Sequence, residues 1–389
     1  MAKRRSAPNF ILLVLLVIGA GTIALRFLSD DGFPVQDTSP ASAVTNTVPE
    51  TLSAPANRSE EPSENVSDSS GPIRIFFSNA YENNPSIGEN DTENIDRQLV
   101  RFINASRENL DCALFELESE RIAQALIDAH RRGVRVRIVC ESDYAGNPDM
   151  LALQEAHIPI VPDHRSGFMH NKFLVADGER VWTGSFNATD NGAFRNNNNA
   201  VILHSAELSE NYEMEFEEMF QQKAFGPRSP SSTPHTFVKL PNADISNYFS
   251  PEDDPDEKIL RYLKLARKRI RFLAFSMTDD RIGRILAEKH REGVDVQGVL
   301  ESRGSGLQYS ELGRLRKAGV PVLTDGNKYI LHHKVMIIDD KWTILGSYNF
   351  SKSAAETNDE NILIIKSERV AGVFQQEYLR IRHMAEQNL

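Results

Sequence analysis

One pattern occurs twice in this chain, and the repetition limits the available folds more than any other feature. Residues 169–199 read MHNKFLVADGERVWTGSFNATDNGAFRNNNN, and residues 331–361 read LHHKVMIIDDKWTILGSYNFSKSAAETNDEN. Both follow H-x-K-x4-D-x6-G-S-x-N. The first copy supplies His170, Lys172, Asp177, Gly184, Ser185 and Asn187; the second supplies His332, Lys334, Asp339, Gly346, Ser347 and Asn349. Six positions held at fixed spacing in both copies mark a duplicated domain with half a site in each.

The surroundings of the two motifs repeat as well. KFLVAD and KVMIID are apolar, β-branched runs and predict strands. Side chains at i and i+2 of a strand share a face, so each His points the same way as its Lys. Upstream, Ile73–Ser78 is echoed by Tyr248–Ser250, Leu110–Phe115 by Ile270–Phe275, and Val134–Cys140 by Val294–Leu300. Between them lie amphipathic helices, one carrying Ile95, Leu99, Phe102 and Ile103 on one face, another Ile259, Leu260 and Leu263. Ser119 is placed to cap one of the next helices and Asp279 or Asp280 the other, with Gly133 and Gly293 to end them. Strand–helix–strand alternation predicts an α/β fold whose sheets are largely parallel and covered by helices on both faces. The Pro- and Ser-rich run Gly226–Pro234 reads as the break between halves. The expected domains are therefore 72–224 and 241–385, joined by a linker over 225–240.

An imidazole beside an ammonium suits a phosphate: the Lys attracts the oxyanion, and the His can attack phosphorus or move a proton. Two copies in one cleft let one His attack while the other protonates the leaving alkoxide. Two Lys supply the positive charge, so the chemistry calls for no metal and no cofactor.

These residues resemble the HKD signature of the phospholipase D superfamily, and the resemblance covers about residues 73–385. It implies a duplicated phospholipase D-like α/β domain, two mainly parallel sheets flanked by helices and packed with pseudo-two-fold symmetry, the active site at their shared face. It also implies a phosphohistidine intermediate. Carried over, His170 is the nucleophile, His332 the general acid, and Lys172 and Lys334 hold phosphate. Asn187 and Asn349 line the phosphate site, with Ser185 and Ser347 in support. Asp177 and Asp339 complete the catalytic motif, although in this family they more often fix loops and strands than touch substrate. The family often places a Glu eleven residues after the last motif Asn, where it orients a catalytic His. The second copy has Glu360 there and the first has Asn198, so one His is held by an amide, and which His attacks stays open.

The family takes several phosphodiesters. The expected reaction is hydrolysis of a glycerophospholipid to phosphatidic acid and an alcohol. The alternatives are a metal-independent nuclease and a cardiolipin synthase-like phosphatidyltransferase. The formal charge of -11 is uneven: residues 73–222 hold 13 Lys and Arg against 25 Asp and Glu, residues 250–389 hold 23 against 21. An acidic chain is poorly suited to non-specific nucleic-acid binding, which needs Lys and Arg on phosphates. Arg165, Arg195, Lys328 and Lys352 lie near the motifs and are available to either substrate.

Lys3, Arg4 and Arg5 precede an apolar run from Phe10 to Leu25. This order predicts a cytoplasmic tip and a membrane anchor over 1–28 with the catalytic part exocytoplasmic, or a secreted protein if the segment is cleaved. Residues 29–71 are rich in Ser, Pro, Thr, Asn and Glu and read as a tether. Both half-sites lie in one chain, which predicts a working monomer. Cys112 and Cys140 fall at core positions of the repeat and read as free buried thiols. His130 and His290 read as structural, at helix C-termini. His333 should face away from Lys334, His164 should lie in a surface loop, and Trp182 should be core. The middle of the run Asn196–Asn199 reads as featureless loop.

Overall fold

The computed structural model describes residues 67–69, 71–78 and 91–388. The expected anchor and almost all of the expected tether lie outside these residues, and among the described ones no helix is long and apolar enough to cross a membrane. Regular pairing begins slightly earlier than expected: Asp68 bridges Ile75, and its carboxylate meets Arg369.

The first-half strands are β1 (Ile73–Phe77), β2 (Asn109–Leu114), β3 (Leu117–Glu118), β4 (Arg135–Cys140), β5 (Ile160–Pro162), β6 (Lys172–Ala176), β7 (Arg180–Gly184), β8 (Ala188–Thr189) and β9 (Asn199–His204). Seven of them form one sheet in the order β1-β9-β7-β6-β2-β4-β5, and β3 pairs with β8 apart from it. The second half repeats the plan with β10 (Phe237–Leu240), β11 (Ala243–Ser250), β12 (Arg269–Ala274), β13 (Asp295–Leu300), β14 (Val322–Thr324), β15 (Lys334–Ile338), β16 (Trp342–Gly346) and β17 (Glu360–Lys366). Their order is β10-β11-β17-β16-β15-β12-β13-β14.

The duplicated α/β architecture is as expected, but the sheets are mixed rather than mainly parallel. Within each large sheet only β2-β4-β5 and β12-β13-β14 run parallel. The motif strands β6 and β15 are antiparallel to both neighbours. The pairing with β7 and β16 is set by the turn that follows each of them. Asp177 and Gly178 take left-handed φ values of 58° and 65°, and Asp339 and Asp340 take 52° and 56°. Two successive left-handed residues make a tight hairpin whose twist matches the strands. A parallel return would need a long crossover, so β7 and β16 come straight back.

Both faces of each sheet are covered. Phe173, Val175, Val335 and Ile337 point into a central core shared by the two halves, together with Tyr212 and Phe216 of helix Ala206–Phe220 and Phe374 and Tyr378 of helix Glu368–Glu386. Leu174 and Ala176 face an outer core under the first-half helices, and Met336 and Ile338 face its counterpart. Burial on both sides explains why these strands read as unbroken apolar runs. Each fully buried Phe or Val stabilises the fold by roughly 1.5–3 kcal/mol.

Helices Glu120–Arg131 and Asp280–Arg291 are followed by Gly133 and Gly293 at φ 92° and 88°, as their sequence predicts. Asp279 caps its helix through Arg281 N–H, whereas Ser119 stands at the cap position without making the bond. Cys112 and Cys140 are free and buried on adjacent strands, and Trp182 is core, stacked against Phe76 at 6.1 Å.

Candidate active site

His170 and His332 sit just before β6 and β15, and each is tied to both halves. Phe115 N–H donates to Asn171 C=O at 3.0 Å, and Phe275 N–H to His333 C=O at 2.8 Å, which joins each motif to the end of its neighbouring strand. Across the halves, His170 N–H donates to Asp359 C=O at 3.0 Å and His332 N–H to Asn197 C=O at 2.9 Å. The segment that follows one copy's motif thus holds the other copy's histidine.

The side chains cross in the same way. His170 Nδ1 lies 2.7 Å from Glu360 Oε2, which also accepts from Ser347 Oγ at 2.7 Å. His332 Nδ1 lies 2.9 Å from Asn198 Oδ1 and 3.0 Å from Ser185 C=O. Asn198 Nδ2 donates to Gly192 C=O at 3.0 Å, which sets the amide so that its oxygen faces the imidazole. Both partners of His332 Nδ1 are acceptors, so Nδ1 carries the hydrogen and Nε2 is left for chemistry. The expected departure from the family pattern is therefore real in geometry. Glu360 of the second copy orients the first His, and Asn198 of the first copy orients the second.

Lys172 and Lys334 lie beside their histidines, with Nζ bonded to the C=O of His170 at 2.6 Å and of His332 at 3.0 Å. Phe115 and Phe275 form matching walls, against His170 at 4.7 Å and His332 at 4.9 Å, each beneath its Lys. All four polar residues are nearly closed off: His170 is 4% exposed, His332 8%, Lys172 2% and Lys334 1%. Burial drives both imidazoles well below their ordinary range, and the two ammonium charges push them further down. Burial lowers Lys172 to about 7, with Glu360 and Glu116 pulling back, and burial also holds Lys334 well below its ordinary value, with Lys172 adding to the effect. Burial lifts the Glu360 carboxyl to about 8 against the pull of Lys172 and Ser347. Two desolvated amino groups whose charge is opposed by burial are a receptor for an oxyanion, which restores that charge.

The other expected residues fall into place around this cluster or away from it. Asn187 and Asn349 each bury a side-chain oxygen that has no partner. Ser185 and Ser347 support Asn198 and Glu360. Asp177 and Asp339, expected within the catalytic motif, are not at the cluster. They lie at the far ends of β6 and β15, where their carboxylates accept from the N–H groups of Arg107, Glu108 and Asn109 and of Arg267, Lys268 and Arg269. Partial burial works against the Asp177 carboxylate, but these donors and Arg180 hold it below the usual range. Both are turn residues that staple a hairpin to the preceding strand. Arg165 is likewise not free to meet substrate. It reaches across to Thr357 C=O and the Asp359 carboxylate and also holds Phe168 C=O, so it clamps the segment that positions His170. Arg195 is drawn to Asn191 and Tyr329, and Lys352 is an exposed partner of Glu356.

His333 faces away from Lys334 as expected and bonds Glu377 at 2.9 Å; His164 is exposed. The Asn run is structural rather than featureless. Asn197, Asn198 and Asn199 are fully buried, with Asn197 bonded to Asn327 and Asn199 to His333. Sequence reasoning also missed Phe115 and Phe275 as cleft walls, although an aromatic residue ends the same strand in both repeats. It missed Glu116, whose counterpart in the second copy is Ser276.

The family model described as "Cardiolipin synthase, PLD-like domain" matches residues 99–220 and 259–382, more than half of the chain. Among curated relatives, the mitochondrial cardiolipin hydrolase of Xenopus laevis is 36% identical over 128 residues, 32% of this chain and 60% of that protein. A phospholipase D of Rickettsia felis is 29% identical over 164 residues, 42% of this chain and 82% of that protein. The chain spans 60% and 49% of the length of the Xenopus laevis and Canis lupus familiaris cardiolipin hydrolases. Phosphatidylserine synthase of Haemophilus influenzae has a similar fold, with a TM-score of 0.59 at 14% identity over 79% of this chain and 86% of that one.

Proposed function

The chain belongs to the phospholipase D superfamily, and from that premise we propose that it hydrolyses glycerophospholipid to phosphatidic acid and a free alcohol. The observation that carries the reading is the crossed cluster, two histidines each fixed at Nδ1 beside two buried ammonium groups. His170 Nε2 attacks phosphorus, the bond to the alcohol oxygen breaks, and His332 Nε2–H gives that oxygen its proton. Water then attacks phosphorus, gives a proton back to His332, and the P–N bond breaks to release the phosphate monoester.

The partners favour this division of roles. Glu360, raised to about 8 in the empty site, can ionise against the positive charge that develops on His170 as it bonds phosphorus, which the Asn198 amide cannot do. His170, held by Glu360, is the better nucleophile, and His332, held by Asn198, gives up its proton more readily. Both are neutral while the cluster is empty. The charge of a bound phosphodiester raises His332 so that it can act as an acid. Lys172, Lys334, Asn187 and Asn349 bind the non-bridging oxygens.

A lipid substrate is favoured by Leu307 and Tyr309, which are 51% and 70% exposed. They lie in the loop after β13, at the sheet end that also carries His332. Together with an N-terminal anchor over 1–28, these side chains would hold the site against a bilayer outside the cytoplasm. Both half-sites come from one chain, so a monomer suffices. Release by an alcohol in place of water would turn the same intermediate into a phosphatidyltransferase product, and cutting nucleic acid would use the same steps.

The test gives the full chain phosphatidylcholine micelles in one vessel and single- and double-stranded DNA and RNA in another, all in EDTA, with His170→Ala as control. Head-group release that vanishes in the variant is expected. Nucleic-acid cutting alone, or loss of turnover in EDTA, would overturn the reading.

A further inference from the structure

Apart from the Glu360–Asn198 exchange, the two half-sites differ most at one wall. Phe115 and Phe275 occupy equivalent places, but the next residue is Glu116 in the first half and Ser276 in the second. Glu116 follows β2, is only part-buried, and accepts from Asn187 Nδ2 through Oε2 at 3.2 Å. Its partner is thus a residue of the repeated motif, and the charge of Lys172 reaches it. The neighbouring loop deepens the contrast. Tyr144 packs edge-on against Phe115 at 5.1 Å, and Asp143 and Glu118 stand exposed beside it. The corresponding second-half positions are Gly304, Arg303 and Thr278. One wall of the cleft is therefore acidic and aromatic, and the other carries no carboxylate at these places.

A carboxylate beside an oxyanion site is costly unless something positive or proton-donating lies over it. We propose that Glu116 sets the charge specificity of the site: the substrate group over the first-half wall must be cationic or neutral, and a second anionic phosphate there is rejected. The inference rests on the phosphodiesterase reading above and narrows it to zwitterionic phosphodiesters over polyanionic ones. It does not follow from the relatives, since the cardiolipin hydrolases among them are named for a lipid with two phosphates. Asn187 holds the carboxyl in place, and the half-buried Tyr144 gives an adjoining aromatic surface on which an ammonium can rest.

Glu116 is also a group that changes charge in the working range. Burial raises its carboxyl to about 7, Glu118 adds to the rise, and Lys172 and Asn187 oppose it; Tyr144 is the remaining polar neighbour. Discrimination should grow as pH rises from 6 to 8 and the carboxyl ionises.

The experiment compares kcat/KM of the full chain on phosphatidylcholine and on cardiolipin in neutral-detergent mixed micelles at pH 6 and pH 8. The variants are Glu116→Gln, which keeps an acceptor for Asn187 and removes the charge, and Glu116→Ser, which installs the second-half residue. The wild-type chain should favour phosphatidylcholine more at pH 8 than at pH 6. Both variants should lower that preference by about tenfold or more at pH 8, mainly through KM for cardiolipin, and lose its pH dependence. An unchanged ratio in Glu116→Gln, with its melting temperature kept, would overturn the inference and leave the phosphodiesterase reading intact. No turnover of either lipid by the wild-type chain would overturn both.

Discussion

Binding of a simple oxyanion should draw a proton onto Lys172. Burial holds its ammonium at about 7 in the empty site, so above that pH the side chain is neutral. A sulfate in the cluster supplies the missing counter-charge and returns the group toward its ordinary value of about 10.4. Between those limits binding and protonation are linked, and affinity must fall as pH rises. With one such group, Kd weakens by about tenfold per pH unit above 7, on the order of 10²-fold between pH 6 and pH 9, or about 2.7 kcal/mol. Lys334, held well below its ordinary value by burial and by Lys172, can only steepen the slope. Sulfate keeps its own charge over this range, so the effect belongs to the protein. Calorimetric titration in two buffers of different ionisation heat reads both Kd and proton uptake. Lys172→Arg keeps a permanent positive charge and should flatten the slope by one decade per unit. A Kd that stays constant from pH 6 to pH 9, or an unchanged slope in Lys172→Arg, would refute the picture of a desolvated ammonium waiting for an anion.

The division of labour between the histidines predicts that His332→Asn still reacts once with a p-nitrophenyl phosphodiester, whose leaving group needs no acid. Label should accumulate on His170, visible by mass spectrometry of the acid-labile adduct; label elsewhere would reverse the roles. The reassignment of the motif aspartates predicts that Asp177→Ala costs about 3 kcal/mol in urea unfolding, because three backbone N–H groups lose their acceptor, while kcat per folded molecule stays within about twofold. A large loss of kcat without loss of stability would return Asp177 to the chemistry. Arg165→Met should cost about 3 kcal/mol by stranding the buried Asp359 carboxylate, and Arg165→Met with Asp359→Asn should recover part of it. Full stability in the single variant would remove Arg165 as the clamp.

The duplication, the paired strands and the histidine–lysine cluster were legible because each rests on local pattern: period-two apolar runs, fixed spacing and recurrence in both halves. The direction of the sheets was not. Strand–helix–strand alternation holds for β2, β4 and β5, and extending it to β6 passed over the Asp177-Gly178 pair, itself a hairpin signal. The crossed partners were invisible for another reason. Glu360 and Asn198 could be placed by spacing from their own motifs, but which histidine each holds depends on how the halves pack. Arg165 looked like a substrate contact because only its neighbours in sequence were known. The buried Asn197 and Asn199 looked like loop because their partners, Asn327 and His333, lie more than 120 residues away.

Crossing has a consequence that duplication alone would lack. Were each histidine oriented by its own copy, either half could drift in sequence and keep a working imidazole. Here His170 is correctly held only if the second half supplies Glu360 and the Asp359 carbonyl, and His332 only if the first supplies Asn198 and the Asn197 carbonyl. The halves therefore fold into one site or none, and a change in one copy's trailing segment alters the other copy's chemistry. That arrangement lets a near-symmetric scaffold run an asymmetric reaction. A carboxylate on both sides would make two bases competing to attack. Replacing one by an amide, in a position where Gly192 C=O fixes its orientation, holds the His332 ring in the same pose without a carboxyl group against it. On the proposed mechanism, that difference assigns attack to His170 and proton donation to His332.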